Sequence, residues 1–392
     1  MKKTLLAASL LAAMTGVSVA DDVKIGVILG FTGPIESLTP GMAASAELAM
    51  QEASGNLLGG KTVTPVRADS TCIDSAAATA AAERLITADG VAAIVGADCS
   101  GVTTAIANNV AIPNGVVMVS PSATSPALSS IEDNGLFHRT APSDARQGEV
   151  LAQVLNDRGI KNVAVTFTNN DYGKGLAQSF EGAFGAVGGS VAISAAHEDG
   201  KADYSAEVAA LSASGAEHLA VFGYVDQGGK GIIQASIDAD AFSNFILADG
   251  MIGDSLIEAI GDDLAGTIGT LPGGATEGAD MFIKHATANG VDGDGPFRGE
   301  SYDAAALIML AMQAAGSTDR AAIQSKMLSV ANAPGEAILP GQIGKALEIL
   351  SAGGDVDYVG ATGVEFNDIG EVLGSYKELE VKGGEFETIS IR

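Results

Sequence analysis

The stretch VAAIVGADCSGVTTAIANN, residues 91–109, joins a short apolar run to a segment rich in small and hydroxyl side chains. The run predicts a strand that is buried in a parallel sheet, and the residues after it predict a helix. A second stretch of the same design, GVVMVSPSATSPALSS, occupies residues 115–130. Each turn brings small polar residues and free backbone N–H groups to a helix start, which suits a small anion such as a carboxylate. The two stretches therefore predict a ligand site at one edge of a sheet.

Alternation of apolar strands and amphipathic helices extends over most of the chain. It begins with VKIGVILG, residues 23–30, and it starts again after LFHRTAPSDARQ, residues 136–147. Each half predicts a doubly wound lobe in which ligands bind at the carboxyl ends of the strands. Helical segments, among them RAAIQSKMLSVA at residues 320–331, follow TIGTLPGGA at residues 267–275, and the tail 363–391 has the pattern of a β-hairpin.

This order predicts an α/β protein with two Rossmann-like lobes, parallel sheets and a hinge that the chain crosses several times. A cleft between two such lobes is a place where a small ligand can be enclosed. We expect residues 21–140 and 271–350 in lobe 1, and residues 141–270 and 351–392 in lobe 2.

The N-terminus has the pattern of an export signal. MKKTLLAASLLAAMTGVSVA, residues 1–20, contains two lysines, a short apolar run and small residues at Ser18 and Ala20. The alternative is a membrane anchor, but the apolar run is well short of the ~20 residues that a spanning helix needs. We therefore expect cleavage after Ala20 and a mature protein in the periplasm.

The charge balance is strongly acidic. The chain has 48 acidic and 21 basic residues, a formal charge of −27, and loss of Lys2 and Lys3 with the signal would make it −29. Such a charge repels phosphate backbones and anionic membrane surfaces, so we expect neither nucleic acid nor membrane lipid as a partner. The 47% share of apolar residues still supplies material for folded cores.

The chain contains two cysteines, Cys72 and Cys99. In an oxidising compartment an even pair predicts one disulfide, although two buried free thiols are the alternative. Both cysteines follow predicted strands and so belong to the same sheet edge. A disulfide closing a loop of this length would stabilise the fold by roughly 3–4 kcal/mol.

Motifs of enzymes are missing from the sequence. It has no G-x-S-x-G elbow, no P-loop, no H-E-x-x-H pair, and no G-x-G-x-x-G after the first strand. The segment DGDGPFRGE, residues 292–300, lacks the ligand spacing of a calcium loop. We expect no catalytic residue, no cofactor and no metal, and no such role for the four histidines, His138, His197, His218 and His285.

Several segments together carry a resemblance to a known family. The chain resembles the periplasmic amino-acid-binding proteins of ABC importers, in particular the branched-chain (leucine/isoleucine/valine) type with the type I periplasmic-binding fold. The segments, in order along most of the mature chain, are KIGVILGFTGP (24–34), GADCSGVTTA (96–105), MVSPSATSPAL (118–128), FHRTAPSDARQG (137–148), NNDYGKGLAQSFEGAF (169–184), FGYVDQGGKGIIQA (222–235) and FILADGMIGDSL (245–256), together with Cys72 and Cys99.

The resemblance implies a function in transport. A member of this family grips a small amino acid between its lobes and presents the closed form to a membrane permease with its ATPase subunits. We accordingly expect a monomer that binds without catalysis. Two alternatives stay open: a binding protein for another small amide or carboxylate, and a receptor that reports to a sensor.

The resemblance also implies roles for residues of the first lobe. Ser100 would bind the carboxylate of the ligand. In SPSATSP, Ser122 would offer backbone groups, and Thr124 a hydroxyl and an N–H, with Ala123 between them. Helix capping is the alternative for Ser100, and also for Ser122 and Thr124 ahead of Pro126.

In the second lobe, Tyr172 and Tyr224 would close over the ligand, and Asp249 would pair with its α-ammonium group in a charge-assisted hydrogen bond. The alternatives are a surface-turn position for Tyr172 and an N-cap for Asp249. Leu38, near Glu36, stands where branched-chain members typically have a tyrosine that lines the side-chain pocket. The ligand can therefore also be a related amino acid, amide or carboxylate.

Overall fold

The computed structural model describes residues 22–392, so the predicted signal peptide and its cleavage site lie outside the described residues. Within residues 22–392, none of the helices combines the length and apolar character needed to cross a bilayer.

A five-stranded parallel sheet forms the core of the first lobe, in the order β2-β1-β3-β4-β5. Its central strands are apolar and buried on both faces, as expected for a parallel sheet with helices on each side. Pro65 lies in β2, which forms one edge of the sheet, where a missing backbone N–H does little harm. The strands are β1 (Val23–Leu29), β2 (Val63–Asp69), β3 (Ala93–Gly96), β4 (Met118–Ser120) and β5 (Phe137–Arg139).

Helices from both ends of the chain cover this sheet. Asp74 caps the second of them by accepting hydrogen bonds from the N–H groups of Ala76 and Ala77, each at 3.0 Å. The helices are α1 (Thr39–Ala53), α2 (Ser75–Thr87), α3 (Ser100–Ile106), which runs on as a π-helical turn (Ala107–Ala111), and, after the second lobe in the sequence, α9 (Glu277–Ala288), α10 (Arg298–Ala315), α11 (Arg320–Gln324), α12 (Met327–Ala331) and α13 (Ile343–Ser351). The buried helix α10 packs along α1.

A seven-stranded sheet, in the order β14-β13-β10-β9-β8-β6-β7, forms the core of the second lobe. Its strands are β6 (Asn162–Thr168), β7 (Ser190–His197), β8 (His218–Phe222), β9 (Asn244–Leu247), β10 (Ile268–Pro272), β13 (Tyr376–Lys382) and β14 (Glu385–Ile391), and its helices are α4 (Asp144–Asp157), α5 (Asp171–Ala186), α6 (Ser205–Ser212), α7 (Gly228–Asp238) and α8 (Asp254–Ile260). Strands β6 to β10 are parallel, whereas β13 and β14 form an antiparallel hairpin. The predicted two-lobed α/β fold and the predicted C-terminal hairpin are confirmed.

Some short elements differ from the sequence prediction. The segment 320–331, predicted as one helix, is divided into α11 and α12 at Ser325 and Lys326. Strands β5 and β10 were not expected, nor was the small parallel pair of β11 (Glu336–Ile338) and β12 (Val356–Tyr358). Strands β5, β11 and β12 have three residues each and β10 has five, which is too few to show a clear strand periodicity. Pairing partners elsewhere in the chain decide these elements.

The chain passes between the two sheets three times, after β5, after β10 and after β12. The lobe boundaries themselves stay a prediction, and we propose one change to them. Strand β12 pairs with β11, and the Tyr358 hydroxyl donates to Asp303 of α10 at 2.8 Å. The chain rejoins the seven-stranded sheet only at Tyr376, so the third crossing is better placed after Tyr358 than after residue 350.

The predicted disulfide is confirmed. Cys72 and Cys99 are bonded, with their Cα atoms 5.1 Å apart. Cys72 follows β2 and Cys99 follows β3, so the bond ties together two loops at the carboxyl edge of the first sheet. The loop that holds Cys99 leads directly into Ser100, the first residue of α3. The disulfide therefore fixes one wall of the cleft.

Candidate functional site

A small cavity lies between the two lobes at the carboxyl edges of both sheets. Six residues singled out in the sequence line it together: Leu38, Ser100, Ser122, Tyr172, Tyr224 and Asp249. Ala123 and Thr124 are buried beside it without lining it. Cys99, singled out only as a disulfide partner, also lines it, and the remaining lining residues, which were not singled out, are Ile35, Met42, Asp98, Gly250 and Phe297.

One end of the cavity is apolar. The side chains of Ile35, Leu38, Met42 and Phe297 line it, and all four are buried. Ile35 and Leu38 belong to the loop after β1, Met42 to the first turns of α1, and Phe297 immediately precedes α10. This end matches an aliphatic or other apolar group, because burial in such a wall is favourable only for apolar surface.

The opposite side of the cavity carries an acid held by a tyrosine. Asp249 follows β9, and the Tyr172 hydroxyl donates to its carboxylate at 2.6 Å. The Tyr172 oxygen in turn accepts a hydrogen bond from the Gly250 N–H at 3.2 Å. The rings of Tyr172 and Tyr224 stack with centroids 5.2 Å apart, and Asn170 donates to the Tyr224 hydroxyl at 3.2 Å. The two tyrosines are therefore fixed around the acid rather than free on the surface.

A second buried acid, Asp144, lies next to Asp249, and the Gln147 side chain joins the two. With the Gln147 amide oriented so that each of its atoms meets a complementary partner, its nitrogen donates to Asp249 at 3.0 Å and to Asp144 at 2.9 Å. Its oxygen accepts from the Thr270 hydroxyl and from the Asp249 N–H, each at 3.1 Å. Both Asp144 and Gln147 lie in the first turn of α4, directly after the first crossing between the lobes.

Burial shifts the pKa values of these acids upward. Removal from water raises the pKa of Asp249 to about 6, although hydrogen bonds from Tyr172, Gly250 and Gln147 oppose the rise. The pKa of Asp144 lies well above its ordinary value, because of burial first and the neighbouring Asp249 charge second. Asp249 receives more donors, so it is the member of the pair that ionises at neutral pH. Asp249 thus offers a negative charge to a cation.

Two serines of the first lobe, Ser100 and Ser122, line the same cavity as Asp249. The Ser100 oxygen accepts a hydrogen bond from the Ser125 N–H at 3.1 Å, so the hydroxyl hydrogen of Ser100 is left to donate. Ser122 donates its hydroxyl to the backbone oxygen of Asp98 at 3.2 Å. The Asp98 carboxylate accepts from the N–H groups of Gly30 and Cys99 and from the Ser70 hydroxyl. The polar atoms of this wall are therefore largely preorganised.

The capping alternatives are wrong for the residues to which they were assigned. Ser100 is the first residue of α3, whose N-cap is Cys99, and the Cys99 side chain makes no capping hydrogen bond. The short 3-10 helix at Pro126–Ser130 is capped by Ser125, which accepts from the Ala127 N–H at 3.3 Å. The N-cap of α8 is Gly253, not Asp249. The Ser100 and Ser122 hydroxyls and the Asp249 carboxyl are thus not used as N-caps of these helices.

A buried arginine holds the second turn in place. Arg139 of β5 donates to the backbone oxygens of Ala123 at 3.1 Å and Ser125 at 2.9 Å. Its charge is balanced by Glu371, at 2.6 Å, on the chain segment of the third crossing. The Thr124 hydroxyl lies beside the Asp144 carboxyl and lowers its pKa. Residues 123–125 therefore connect Ser100, which accepts from the Ser125 N–H, with Asp144, which lies beside Thr124.

Sequence reasoning missed Asp98, Arg139, Asp144 and Gln147. The available signal was a charged or amide residue next to an apolar strand or inside a quoted segment, since all four lie in GADCS or FHRTAPSDARQ. Several of their partners lie far away in the sequence: Arg139 and its partner Glu371 are separated by 232 positions. The sequence does not reveal which of these side chains become buried together.

The four histidines lie outside the cavity lining, whereas Phe297 of the segment 292–300 belongs to it. Burial lowers the pKa of both His138 and His197 to about 4, and His285 pairs with Glu52 at 2.5 Å. The segment 292–300 consists of the end of the loop after α9 and the first three residues of α10. Across residues 22–392 no cluster of His, Cys, Asp and Glu has an arrangement that could hold a metal ion.

Comparison with known proteins places this architecture in a family. The family profile described as periplasmic binding protein matches residues 22–345. The chain belongs to the periplasmic binding protein family. A relative from Brucella melitensis, called Leu/Ile/Val-binding protein homolog 3, is 31% identical over 317 residues, which cover 78% of this chain and 83% of the relative.

Solved structures share the fold of this periplasmic binding protein. A leucine-binding protein from Thermotoga maritima superimposes with a TM-score of 0.79 at 24% identity, covering 94% of this chain and 98% of its own. A solute-binding protein of an ABC transporter from R. palustris, solved with 4-hydroxybenzoate, has a TM-score of 0.78 at 21% identity, covering 95% and 97% of the two chains. At these identities the likeness shows the fold, and the ligand has to be inferred from this chain's own cavity.

Proposed function

We propose that this periplasmic binding protein captures a small amino acid with an apolar side chain in the cavity between its lobes. The observation that carries the proposal is the division of that cavity into three parts: an acid at Asp249, a hydroxyl-bearing turn at Ser100 and Ser122, and an apolar end around Leu38. An amino acid has a cation, an anion and a side chain, one group for each of the three parts. A relative named for leucine, isoleucine and valine supports this class of ligand.

In the proposed complex, Asp249 receives the α-ammonium group and Ser100 donates its hydroxyl to the carboxylate. Ser122, Ala123 and Thr124 contribute backbone groups and the Thr124 hydroxyl from the first lobe. Tyr172 and Tyr224 cover the ligand from the second lobe, and Leu38 touches its side chain.

The energetics favour recognition of both charged groups. Micromolar binding requires about −8 kcal/mol, and burial of a leucine-sized side chain supplies only roughly 1.5–3 kcal/mol. The remainder has to come from charge-assisted hydrogen bonds in a site from which water is excluded. Closure of two lobes over the ligand provides such a site.

We further propose that the protein works in the periplasm as a monomer and delivers its ligand to an ABC permease driven by ATPase subunits. Family membership supports this location and these partners. Binding without catalysis is part of the proposal. Asp249 accepts a hydrogen bond from Tyr172, and the Gln147 amide donates to both Asp249 and Asp144, so these acids are already held by hydrogen bonds. A receptor that reports to a sensor would use the same closed form.

A carboxylate without an amine is the second candidate ligand, because a neighbour of the same fold was solved with 4-hydroxybenzoate. Such a ligand would leave the Asp249 carboxyl without a cation, so it would be favoured only with Asp249 protonated. The hydrogen bonds to Asp249 stabilise its ionised form and therefore favour an amino acid over such a ligand.

A thermal-shift screen followed by calorimetry tests the proposal. Purified mature protein is heated with each of the common amino acids, with benzoate and with 4-hydroxybenzoate, because a ligand that binds only the folded state raises the melting temperature. We expect shifts with isoleucine, leucine or valine and micromolar affinity by calorimetry. Absence of a shift with every amino acid would reject this ligand class.

A further inference from the structure

A cluster of hydrogen bonds joins the two lobes at the rim of the cavity. The Asp226 carboxylate of the second lobe accepts from the Ser37 N–H of the first lobe at 2.8 Å and from the Ser255 hydroxyl of its own lobe at 2.8 Å. The Asp226 N–H donates to the Pro34 backbone oxygen at 2.9 Å, and the hydroxyl oxygens of Ser37 and Ser255 lie 3.1 Å apart. We call these four residues the Asp226 latch.

The latch acts on the loop that forms the apolar end of the cavity. Pro34 and Ser37 flank Ile35 and precede Leu38, and both apolar residues line the cavity. Asp226 itself does not line it, but it follows the cavity residue Tyr224 by two positions. Asp226 therefore reaches the ligand only through the loop that it holds.

Close packing beside the latch shows that the loop is seated on the second lobe. A Cβ atom added to Gly253 would lie 3.0 Å from the Leu38 Cδ2 atom and 3.4 Å from a Val225 methyl group. The backbone of Gly253 thus forms the floor against which Leu38 packs. The hydrogen bonds of Asp226 and the contact with Leu38 hold the same loop from two sides.

We propose that Asp226 is a positioning residue that holds the loop 33–38 closed over the ligand and sets the rate of ligand release. The proposal rests on the proposed function, because it concerns release of the ligand from that same cavity. Its carboxylate is the acceptor common to a main-chain donor of one lobe and a side-chain donor of the other. When the lobes separate, the bonds from Ser37 and to Pro34 have to break.

The effect belongs to dissociation. Mutations at an interface mostly change the rate of release, whereas encounter with an open cleft does not require the latch. Asp226 and Ser255 are partly accessible to water and Ser37 is exposed, so the bonds are weaker than buried ones. We expect Asp226→Ala to raise the dissociation rate of isoleucine about fivefold and to change the association rate by less than about twofold.

Stopped-flow tyrosine fluorescence measures both rates, since the chain has no tryptophan and two of its six tyrosines line the cavity. Asp226→Asn keeps one oxygen as an acceptor and should release isoleucine at an intermediate rate. Glu217→Ala is the matched control, because it removes an exposed acid of the same lobe and should leave both rates unchanged. Equal dissociation rates for Asp226→Ala and Glu217→Ala would overturn the proposal.

A crosslinking rate tests the latch without a ligand. In a Ser37→Cys, Ser255→Cys variant the two thiols stand where the hydroxyl oxygens lie 3.1 Å apart, so mild oxidation should join them. Adding Asp226→Ala should slow the joining about fivefold, and an unchanged rate would overturn the proposal. If the unmodified protein bound no amino acid but this rate still depended on Asp226, the proposed function would fail and the latch would stand.

Discussion

Tyr172 donates its hydroxyl hydrogen to Asp249 at 2.6 Å, and both side chains are buried between the two lobes. The bond stabilises the ionised carboxylate in a place where burial alone would favour the protonated form. Tyr172 lies in the first turn of α5 and Asp249 follows β9, so the bond also fixes their relative position. Tyr172 and Asp249 are therefore the main polar residues that the second lobe contributes to the site.

The first prediction concerns the charge of Asp249. Asp249→Asn keeps the shape of the side chain but removes the charge that would pair with the α-ammonium group, so we expect isoleucine to bind more than about tenfold more weakly. Isothermal titration calorimetry measures the change. Asp238→Asn, an exposed position in α7, is the control and should bind normally. Unchanged affinity in Asp249→Asn would mean that another group holds the ammonium.

The second prediction concerns pH. Burial raises the pKa of Asp249 to about 6, and an ammonium group prefers the ionised carboxylate. The affinity for isoleucine should therefore reach its maximum above pH 7 and fall as the pH drops through 6. At pH 5 it should be about a tenth of that maximum. Calorimetry across this range measures the midpoint. Tyr172 and Gln147 donate to Asp249 while Asp144 faces it, so Tyr172→Phe should move the midpoint upward. A flat profile in the unmodified protein would contradict this account.

The third prediction concerns Leu38. Leu38→Ala removes apolar contact from the cavity, which should weaken isoleucine binding by about tenfold and favour larger apolar side chains such as that of phenylalanine. A competition assay with both amino acids measures the ratio of affinities. Leu328, an exposed leucine of α12, supplies the control substitution Leu328→Ala. An unaltered ratio would place the ligand side chain elsewhere.

The fourth prediction concerns the disulfide between Cys72 and Cys99. The bond spans 27 residues, and its replacement by two alanines should lower the free energy of unfolding by about 3 kcal/mol. Denaturant titration measures the loss, and the reducing agent dithiothreitol should reproduce it in the unmodified protein but not in the double variant. A loss below about 1 kcal/mol would show that the surrounding loops are fixed without the bond.

The fifth prediction concerns Glu371. Its removal leaves the Arg139 guanidinium buried without a counter-charge, so Glu371→Gln should destabilise the protein by about 3 kcal/mol. Because Arg139 also holds the backbone oxygens of Ala123 and Ser125, amino-acid binding should weaken as well. Glu365→Gln, at an exposed position six residues earlier, is the control. Equal stability of the two variants would remove Arg139 from this role.

Much of the fold could be predicted because strand and helix periodicities recur in order along the chain. The glycine and serine turns after β3 and β4 similarly indicated the edge at which the cavity forms. Strands β11 and β12 could not be predicted, since each has three residues and is defined by its partner. Their pairing also explains why the chain stays with the first lobe beyond residue 350.

The candidate site was predictable only in part. Ser100, Tyr172 and Asp249 stand next to strand ends, where a ligand edge is expected, and they do line one cavity. Asp144 and Gln147 stand at the start of a helix, and nothing local shows that Gln147 bridges two acids. Burial and long-range contact create that arrangement, and neither is visible in local sequence patterns.

A crystal structure of the mature protein with isoleucine tests the central claim most directly. The account predicts electron density for the amino acid between the lobes, with its nitrogen within 3.2 Å of an Asp249 carboxylate oxygen and its carboxylate within 3.2 Å of the Ser100 hydroxyl. Density for isoleucine at another place, with the cleft between Ser100 and Asp249 occupied by solvent alone, would contradict it.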